Sequence, residues 1–355
     1  MRSRSRGLTL IELLVALTIG SLLVAGAVYV YSQSRKTHTV TETIARLQEN
    51  GRYVFSLIEP DIQLAGYYGY SNAPDDFKFI TGGSTASAVP AARLIPTMDD
   101  VLGVAETVSC GKNFLVNLSA TVQGTNKTYS LGCAPQGGGT LDGPDTLTVR
   151  RASSAPSDGK GAAVANRLQL FVSRLSPTNQ YVISDGSLPA SPDLKADFVQ
   201  VRDLIVRTYY ISKDSTSPDA VGLPALRVKS LTNGPAFNDD EVMRGVEDLQ
   251  VQFGIDTGSY DGNAAIDSGR DQNGDGIADI TRGTATYYVN PDSVPLGAQV
   301  ISVRVWVLLR AEQAEQGFVN DTNFVYADRN IPAKNDGYRR VLMSRTIQLR
   351  NSRVL

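Results

Sequence analysis

The chain has 355 residues, of which 42% are hydrophobic and 20% are charged, and its formal net charge at pH 7 is -2. This composition is typical of a globular protein with a sizeable core, and it argues against wholesale disorder. The near-neutral charge gives no sign of the concentrated basic face that nucleic-acid binding needs. Two cysteines and one histidine leave little scope for a histidine triad or a cysteine–histidine metal cluster.

The first predicted element is a membrane-spanning helix near the N-terminus. Residues 8–31 carry one charge, Glu12. At about 1.5 Å per residue they would span roughly 36 Å, enough for a bilayer core of about 30 Å. Three arginines precede this stretch, so the positive-inside rule predicts a cytoplasmic N-terminus and an exported remainder. A cleaved secretory signal, cut near the small residues 25–27, is the alternative, but the length of the run and its buried acid argue against it.

The residues around this acid resemble a known processing signal. RGLTLIEL, residues 6–13, resembles the prepilin signal of type IV pilins and type II secretion pseudopilins, in which a basic leader and a glycine precede an apolar helix. The resemblance implies that a prepilin peptidase cuts after Gly7 and methylates the new amino terminus on Leu8, where the family usually has phenylalanine. Glu12 is then the fifth mature residue, as in the family. It can neutralise the amino terminus of its own or a neighbouring subunit within an apolar bundle.

A long amphipathic helix is predicted to follow the membrane segment. Apolar or small residues recur there at spacings of three and four, which indicates a helix with one buried face: Val40, Ile44, Leu47, Gly51, Val54 and Ile58. Pro60 predicts that this helix kinks or ends near Glu59. A membrane anchor followed by an unrelated helix is the alternative, but the continuous pattern favours one long helix of the pilin type.

Four short stretches resemble PilW-type minor pilins in particular. They are LQENGR (47–52), DI-x-x-AGY (61–67), VE-x-L-Q (246–250) and LRN (349–351). Residues 71–240, by contrast, match poorly and are predicted to be rich in loops. The resemblance implies a subunit that joins other minor pilins and the major pilin, primes assembly, and sits at or near the pilus tip, where a tip adhesin is a further partner. It also implies storage in the inner membrane before assembly into the fibre.

Alternating apolar residues predict a β-rich remainder. The predicted strands cover residues 146–150, 168–173, 198–211, 246–251, 301–309 and 338–350. The expected fold class is α+β, with a pilin-like long N-terminal helix packed on a C-terminal antiparallel β-sheet with long loops. The expected organisation is a leader (1–7), a transmembrane and filament-core half-helix (8–31), an amphipathic half-helix (32–66) and an exported β-rich domain (67–355).

One loop has the spacing of a calcium site. Residues 271–276 read D-x-N-x-D-G, and the predicted oxygen ligands come from Asp271, Asn273, Asp275, the carbonyl of Ile277, and Asp279. The twelfth position, normally a bidentate glutamate, is Arg282, so the pattern is incomplete. A solvated acidic loop without metal is the alternative.

The remaining candidate residues favour a structural subunit over an enzyme. Cys110 and Cys133 are predicted to form a disulfide, because an exported domain meets an oxidising compartment; two free buried thiols are the alternative. Ser157 and Lys160 match an S-x-x-K spacing, but they fall in a loop rich in glycine and serine. Two rival functions stay open: a minor pseudopilin of a type II secretion system, and an adhesin tethered by its helix to the periplasm or cell surface.

Overall fold

In the computed structural model of this chain, the described residues are 9–71, 77–80, 87–88, 101–157, 163–174, 180–184, 186, 199–220, 222–256, 285, 287–295 and 298–351. The chain divides into two compact units, Met1–Glu49 and Asn50–Leu355. A long apolar helix comes first, and a domain of mainly antiparallel sheets follows it. The predicted α+β fold class is therefore confirmed.

Helix α1 runs from Leu10 to Gln63. In the first unit, its large apolar side chains from Leu10 to Tyr31 are all exposed. The helix is long and apolar enough to cross a membrane. Such a surface is unfavourable in water and suits a lipid or a bundle of other apolar helices.

The end of α1 differs from the prediction. The helix continues through Pro60 to Gln63, so the predicted end near Glu59 is wrong. Proline removes one backbone N–H donor, but the following turn is held because Leu64 N donates to the Pro60 carbonyl over 3.1 Å. Asp61 and Ile62 are also buried, so packing within the second unit stabilises this last turn.

The described residues of the second unit contain fifteen strands, a short helix α2 (Glu106–Ser109) and one turn of 3-10 helix (Pro291–Ser293). The strands are β1 (Phe77–Ile80), β2 (Ser87–Ala88), β3 (Val122–Thr125), β4 (Thr146–Ala152), β5 (Gln169–Ser173), β6 (Gln180–Ile183), β7 (Val199–Ser212), β8 (Ala225–Thr232), β9 (Ala236–Arg244), β10 (Val246–Asp256), β11 (Tyr287–Val289), β12 (Gln299–Arg310), β13 (Phe324–Tyr326), β14 (Arg329–Ile331) and β15 (Arg340–Gln348). All six strands predicted from the sequence are present.

Strands β1 to β9 form one sheet, and the long strand β7 pairs with three other strands in it. The path is β2-β1-β6-β5-β7-β4-β3, and β8 pairs with both β7 and β9. The first half of β7 pairs with β5, and its second half pairs with β4 and β8. Residues 71–240 thus contain far more regular structure than the sequence predicted. Every residue of β4 and β5 is buried, so both faces of these strands are covered.

The second sheet has the order β11-β10-β12-β15 and is antiparallel throughout. One face of β12 carries Val303, Val305 and Val307, which are completely buried. The C-terminal part of α1 packs on this side. A Cβ atom on Gly51 would meet the Met343 sulfur and would lie 3.2 Å from Leu309 Cδ1, so a glycine is needed for this close approach. The predicted buried stripe of α1 is confirmed at Gly51, Val54 and Ile58.

Candidate functional site

The N-terminal site is described from Thr9 onward, since Gly7 and Leu8 lie outside the described residues. Glu12 N donates to Thr9 Oγ1 over 3.3 Å, and Thr9 N donates to Glu12 Oε2 over 3.0 Å. Thr9 Oγ1 also donates to the same carboxylate oxygen over 3.0 Å. These reciprocal bonds form a capping box, which satisfies free N–H groups at a helix start.

The capping box adds a local role to Glu12 that the sequence analysis missed. Its signature, a threonine three residues before a glutamate at the start of an apolar run, is plain in Thr9-Leu10-Ile11-Glu12. The Glu12 carboxylate accepts the amide of Thr9, which directly follows Leu8. The acid is therefore held at the N-terminal end of the helix and does not point down the apolar stretch.

Asp61 joins the end of α1 to the nine-stranded sheet. Its side chain is buried, and Arg151 donates to Oδ1 from Nε (3.1 Å) and Nη2 (2.9 Å). Arg207 Nη1 and Tyr209 Oη donate to Oδ2 over 2.9 and 2.7 Å. Burial raises the pKa of Tyr209, and the Asp61 carboxylate raises it further, so the phenol remains a proton donor. One carboxylate thus fixes the helix to strands β4 and β7.

The chain segment after α1 meets the C-terminus of the described chain. Gly66 adopts a left-handed φ of 75°, and its N–H donates to the Arg150 carbonyl over 3.0 Å. A Cβ there would lie 3.0 Å from Thr121 Cγ2 and 3.2 Å from the Asn351 carbonyl, so glycine is required. Arg350 N donates to the Gln63 carbonyl over 3.0 Å. The DI-x-x-AGY and LRN stretches, which are far apart in sequence, are neighbours here.

The VE-x-L-Q stretch of β10 supplies polar groups that hold other segments. Glu247 receives two hydrogen bonds from Arg340, from Nε over 2.6 Å and from Nη2 over 3.1 Å. Gln250 Nε2 donates to the Gly143 carbonyl over 2.9 Å. Residues of this stretch therefore attach β10 to β15 and to the segment that contains Gly143.

The predicted disulfide joins Cys110 to Cys133. The loop that it closes contributes Leu115, Val116 and Leu118 to the core, and all three are completely buried. A buried tyrosine, Tyr68, donates its hydroxyl to the Leu118 carbonyl over 2.6 Å. The loop is therefore part of the core of the second unit and not a surface appendage.

Arg150, which the sequence analysis did not single out, is fully buried against this loop. Its Nε and Nη2 donate to the Phe114 carbonyl over 2.9 and 2.8 Å, and Nη1 donates to the Ala120 carbonyl over 2.7 Å. Nη2 also reaches Gln123 Oε1 over 3.0 Å. Burial lowers the pKa of Arg150 to about 10. Backbone carbonyls of the disulfide loop thus accept hydrogen bonds from the buried Arg150 guanidinium and replace water around it.

The proposed calcium ligands Asp271, Asn273, Asp275, Ile277 and Asp279 lie outside the described residues, and that site stays a prediction. In the part of the chain that the structure describes, no group of three or more His, Cys, Asp or Glu side chains is arranged to hold a metal ion.

Two protein families match this chain, one near each end. The Prokaryotic N-terminal methylation motif, which is typical of type IV pilins, matches residues 2–28. The family described as Type IV Pilus-assembly protein W matches residues 208–351, from the end of β7 to the LRN stretch. The resemblance to PilW-type minor pilins is confirmed by these two matches. Neither the curated proteins nor the solved structures include a significant match.

Together these findings support a type IV pilus-related minor pilin. The family match indicates interaction with other pilus components. The methylation motif and the long apolar helix fit anchoring in the inner membrane and association with the pilus. The pilin-type family match points to a structural role for the chain.

Proposed function

We propose that this protein is a minor pilin that helps to initiate type IV pilus assembly within a priming complex at or near the pilus tip. The observation that carries the proposal is the combination of the two family matches with an acid held at the start of the apolar helix. Its partners would be other minor pilins, the major pilin and the prepilin peptidase, and a tip adhesin would contact the exported domain.

The mechanism follows from the helix and its acid. The peptidase cuts after Gly7, and the apolar helix stores the subunit in the inner membrane with its N-terminus in the cytoplasm. Transfer of the helix from lipid to a helix bundle gains little from the hydrophobic effect, because both surroundings are apolar. Packing and charge pairing must then give assembly its direction. Glu12, already held beside the Thr9 amide, neutralises the charged amino terminus of Leu8 or of an adjacent subunit.

Replacing Glu12 with leucine tests this mechanism. An unpaired amino terminus in an apolar bundle costs several kcal/mol, and about 1.4 kcal/mol corresponds to a factor of ten. We therefore expect the amount of Glu12→Leu protein in sheared pili, measured by quantitative mass spectrometry, to fall at least about tenfold. The variant should still be found in the membrane fraction, and the mature N-terminus of the wild-type protein should be Leu8.

Glu42→Leu is the matched control. Glu42 is an exposed acid of the same helix, and it pairs with Arg46 one turn away over 2.7 Å. This variant should enter pili at the wild-type level. Normal incorporation of Glu12→Leu would contradict the proposal and favour the tethered adhesin, whose function needs no register between helices.

The type II secretion alternative shares the N-terminal signal, but the match to Type IV Pilus-assembly protein W favours the pilus. A strain that lacks this gene should lose surface pili and twitching motility while it secretes type II substrates normally. Loss of secretion with intact twitching would reverse the assignment.

A further inference from the structure

A buried aspartate joins the two sheets of the second unit. Asp145 lies directly before β4, and its backbone N–H donates to the Leu249 carbonyl of β10 over 2.8 Å. Its carboxylate accepts the backbone N–H of Lys127 at Oδ1 and that of Val251 at Oδ2, each over 2.8 Å. One side chain thus connects the loop after β3, the start of β4, and β10.

The β13–β14 hairpin adds further polar and charged side chains to this junction. Asp248 of β10 accepts hydrogen bonds at Oδ2 from Tyr326 Oη (2.6 Å) and Arg329 Nε (3.3 Å). Asp328, at the hairpin turn, pairs with Lys127 Nζ over 2.8 Å. Asp328 also accepts amide N–H groups from Asn126 and Asn290 over 3.1 and 2.9 Å. The hairpin therefore attaches to both sheets at once. Six residues form this junction, which we call the charge clasp: Lys127, Asp145, Asp248, Tyr326, Asp328 and Arg329.

The charges of the clasp do not balance when all of its acids are ionised. Three carboxylates face two cations, and the Asp145 side chain receives its hydrogen bonds from neutral backbone groups. Asp145 and Asp248 are 2% and 1% exposed, so their excess negative charge is poorly hydrated. Asp328 and Lys127, by contrast, lie partly in solvent and neutralise each other.

We propose that the charge clasp is a pH-sensitive joint, in which Asp145 takes up a proton in mildly acidic medium and the proton strengthens the attachment between the two sheets. Each carboxylate oxygen of Asp145 uses one lone pair for a backbone N–H, which leaves a second lone pair for the proton. Both hydrogen bonds to the carboxylate, of which the Val251 bond crosses to the second sheet, can therefore survive protonation, while repulsion from Asp248 and Asp328 is relieved.

The shift in the pKa of Asp145 also favours its protonation in mildly acidic medium. Burial raises the pKa of Asp145 to about 7; the Lys127 and Val251 N–H groups oppose this, and the charges of Asp328 and Asp248 add to it. Burial also raises the pKa of Asp248. Because the folded pKa of Asp145 exceeds its unfolded value, the folded state binds more protons between these two values. Its contribution to stability is complete below the unfolded pKa and is lost as the pH rises to about 7.

A histidine and several acids among the described residues also bear on this pH range. His38 is the one histidine of the sequence and is exposed on α1. Hydrogen bonds and neighbouring cations hold the pKa values of several other acids below the ordinary range, so these acids stay ionised near neutral pH: Asp219, Glu241, Asp328 and Asp336.

Thermal unfolding of the full-length protein in detergent micelles between about pH 5.5 and pH 8 tests the proposal. The wild-type Tm should fall by a few degrees as the pH rises. Asp145→Asn should have a lower Tm that no longer falls with pH. Asp240→Asn, which changes an exposed acid of β9, should keep the wild-type slope. Lys127→Met removes a cation from the clasp and should steepen the slope.

Hydrogen exchange of the Val251 and Lys127 amides, corrected for intrinsic rates, provides a second measurement. Protection of both amides should decrease as the pH rises in the wild-type protein and stay constant in Asp145→Asn. A wild-type slope in Asp145→Asn, or a wild-type Tm that rises with pH, would overturn the proposal.

Discussion

We expect the substitution Asp61→Ala to reduce the free energy of unfolding of the Asn50–Leu355 unit by about 3–5 kcal/mol. The carboxylate is buried, and its removal would leave Arg151, Arg207 and Tyr209 without their shared acceptor. Losing one member of a buried ion pair is costly because the remaining charge is neither hydrated nor paired. Urea denaturation followed by far-UV circular dichroism would measure the change.

Glu59→Ala is the control for this prediction. Glu59 lies on the same turn of α1 and pairs with Arg345 of β15, but 47% of the arginine side chain and 30% of the glutamate side chain are exposed. Exposed ion pairs contribute about 0–1 kcal/mol, so this variant should be close to the wild type. Equal losses in the two variants would mean that Asp61 has no special role in attaching the helix.

The second large effect is expected for the disulfide. The bridge closes a loop with a sequence separation of 23. Loop-closure entropy for a bridge of this size is about 3 kcal/mol, and removing native disulfides costs about 2–5 kcal/mol. We expect the double variant Cys110→Ser/Cys133→Ser to lie in the upper part of that range, because the loop also provides the acceptors of Arg150. Urea denaturation of both proteins under oxidising conditions gives the difference.

A double-mutant cycle with Arg150→Met separates the two contributions. If the loop carbonyls solvate the buried guanidinium, the destabilisation by the cysteine substitutions and by Arg150→Met should be non-additive by about 0.5–3 kcal/mol. Simple additivity would show that the disulfide acts on chain entropy alone. Addition of a reductant should destabilise the wild type and leave the double cysteine variant unchanged.

Periodicity was enough to predict the long helix and six strands, because their apolar residues repeat at helical or strand spacing. It did not reveal that every residue of β4 is buried, including Arg150 and Arg151. Buried arginines need distant acceptors, which local patterns do not reveal. The pairing within the nine-stranded sheet was missed for the same reason, since most of its partners are remote in sequence.

In the candidate sites, too, local contacts could be predicted from the sequence and contacts between remote residues could not. The capping box of Thr9 and Glu12 is local, and its signature was available in the sequence. Asp61 belongs to a stretch that resembles PilW-type pilins, yet its partners lie 90 to 148 residues away. A motif could therefore mark the residue but could not give its role. That role depends on the pairing of β4 with β7, which brings the partners of Asp61 together.

The attachment of α1 also has a mechanical consequence. In the last turn of the helix, which would carry part of any pull along the helix axis, Asp61 is held by side chains from β4 and β7. The Gln63 carbonyl is held at the same point by the backbone of Arg350. Tension on the last turn is therefore shared by two strands of the large sheet and the C-terminal segment, and no single contact has to resist it alone.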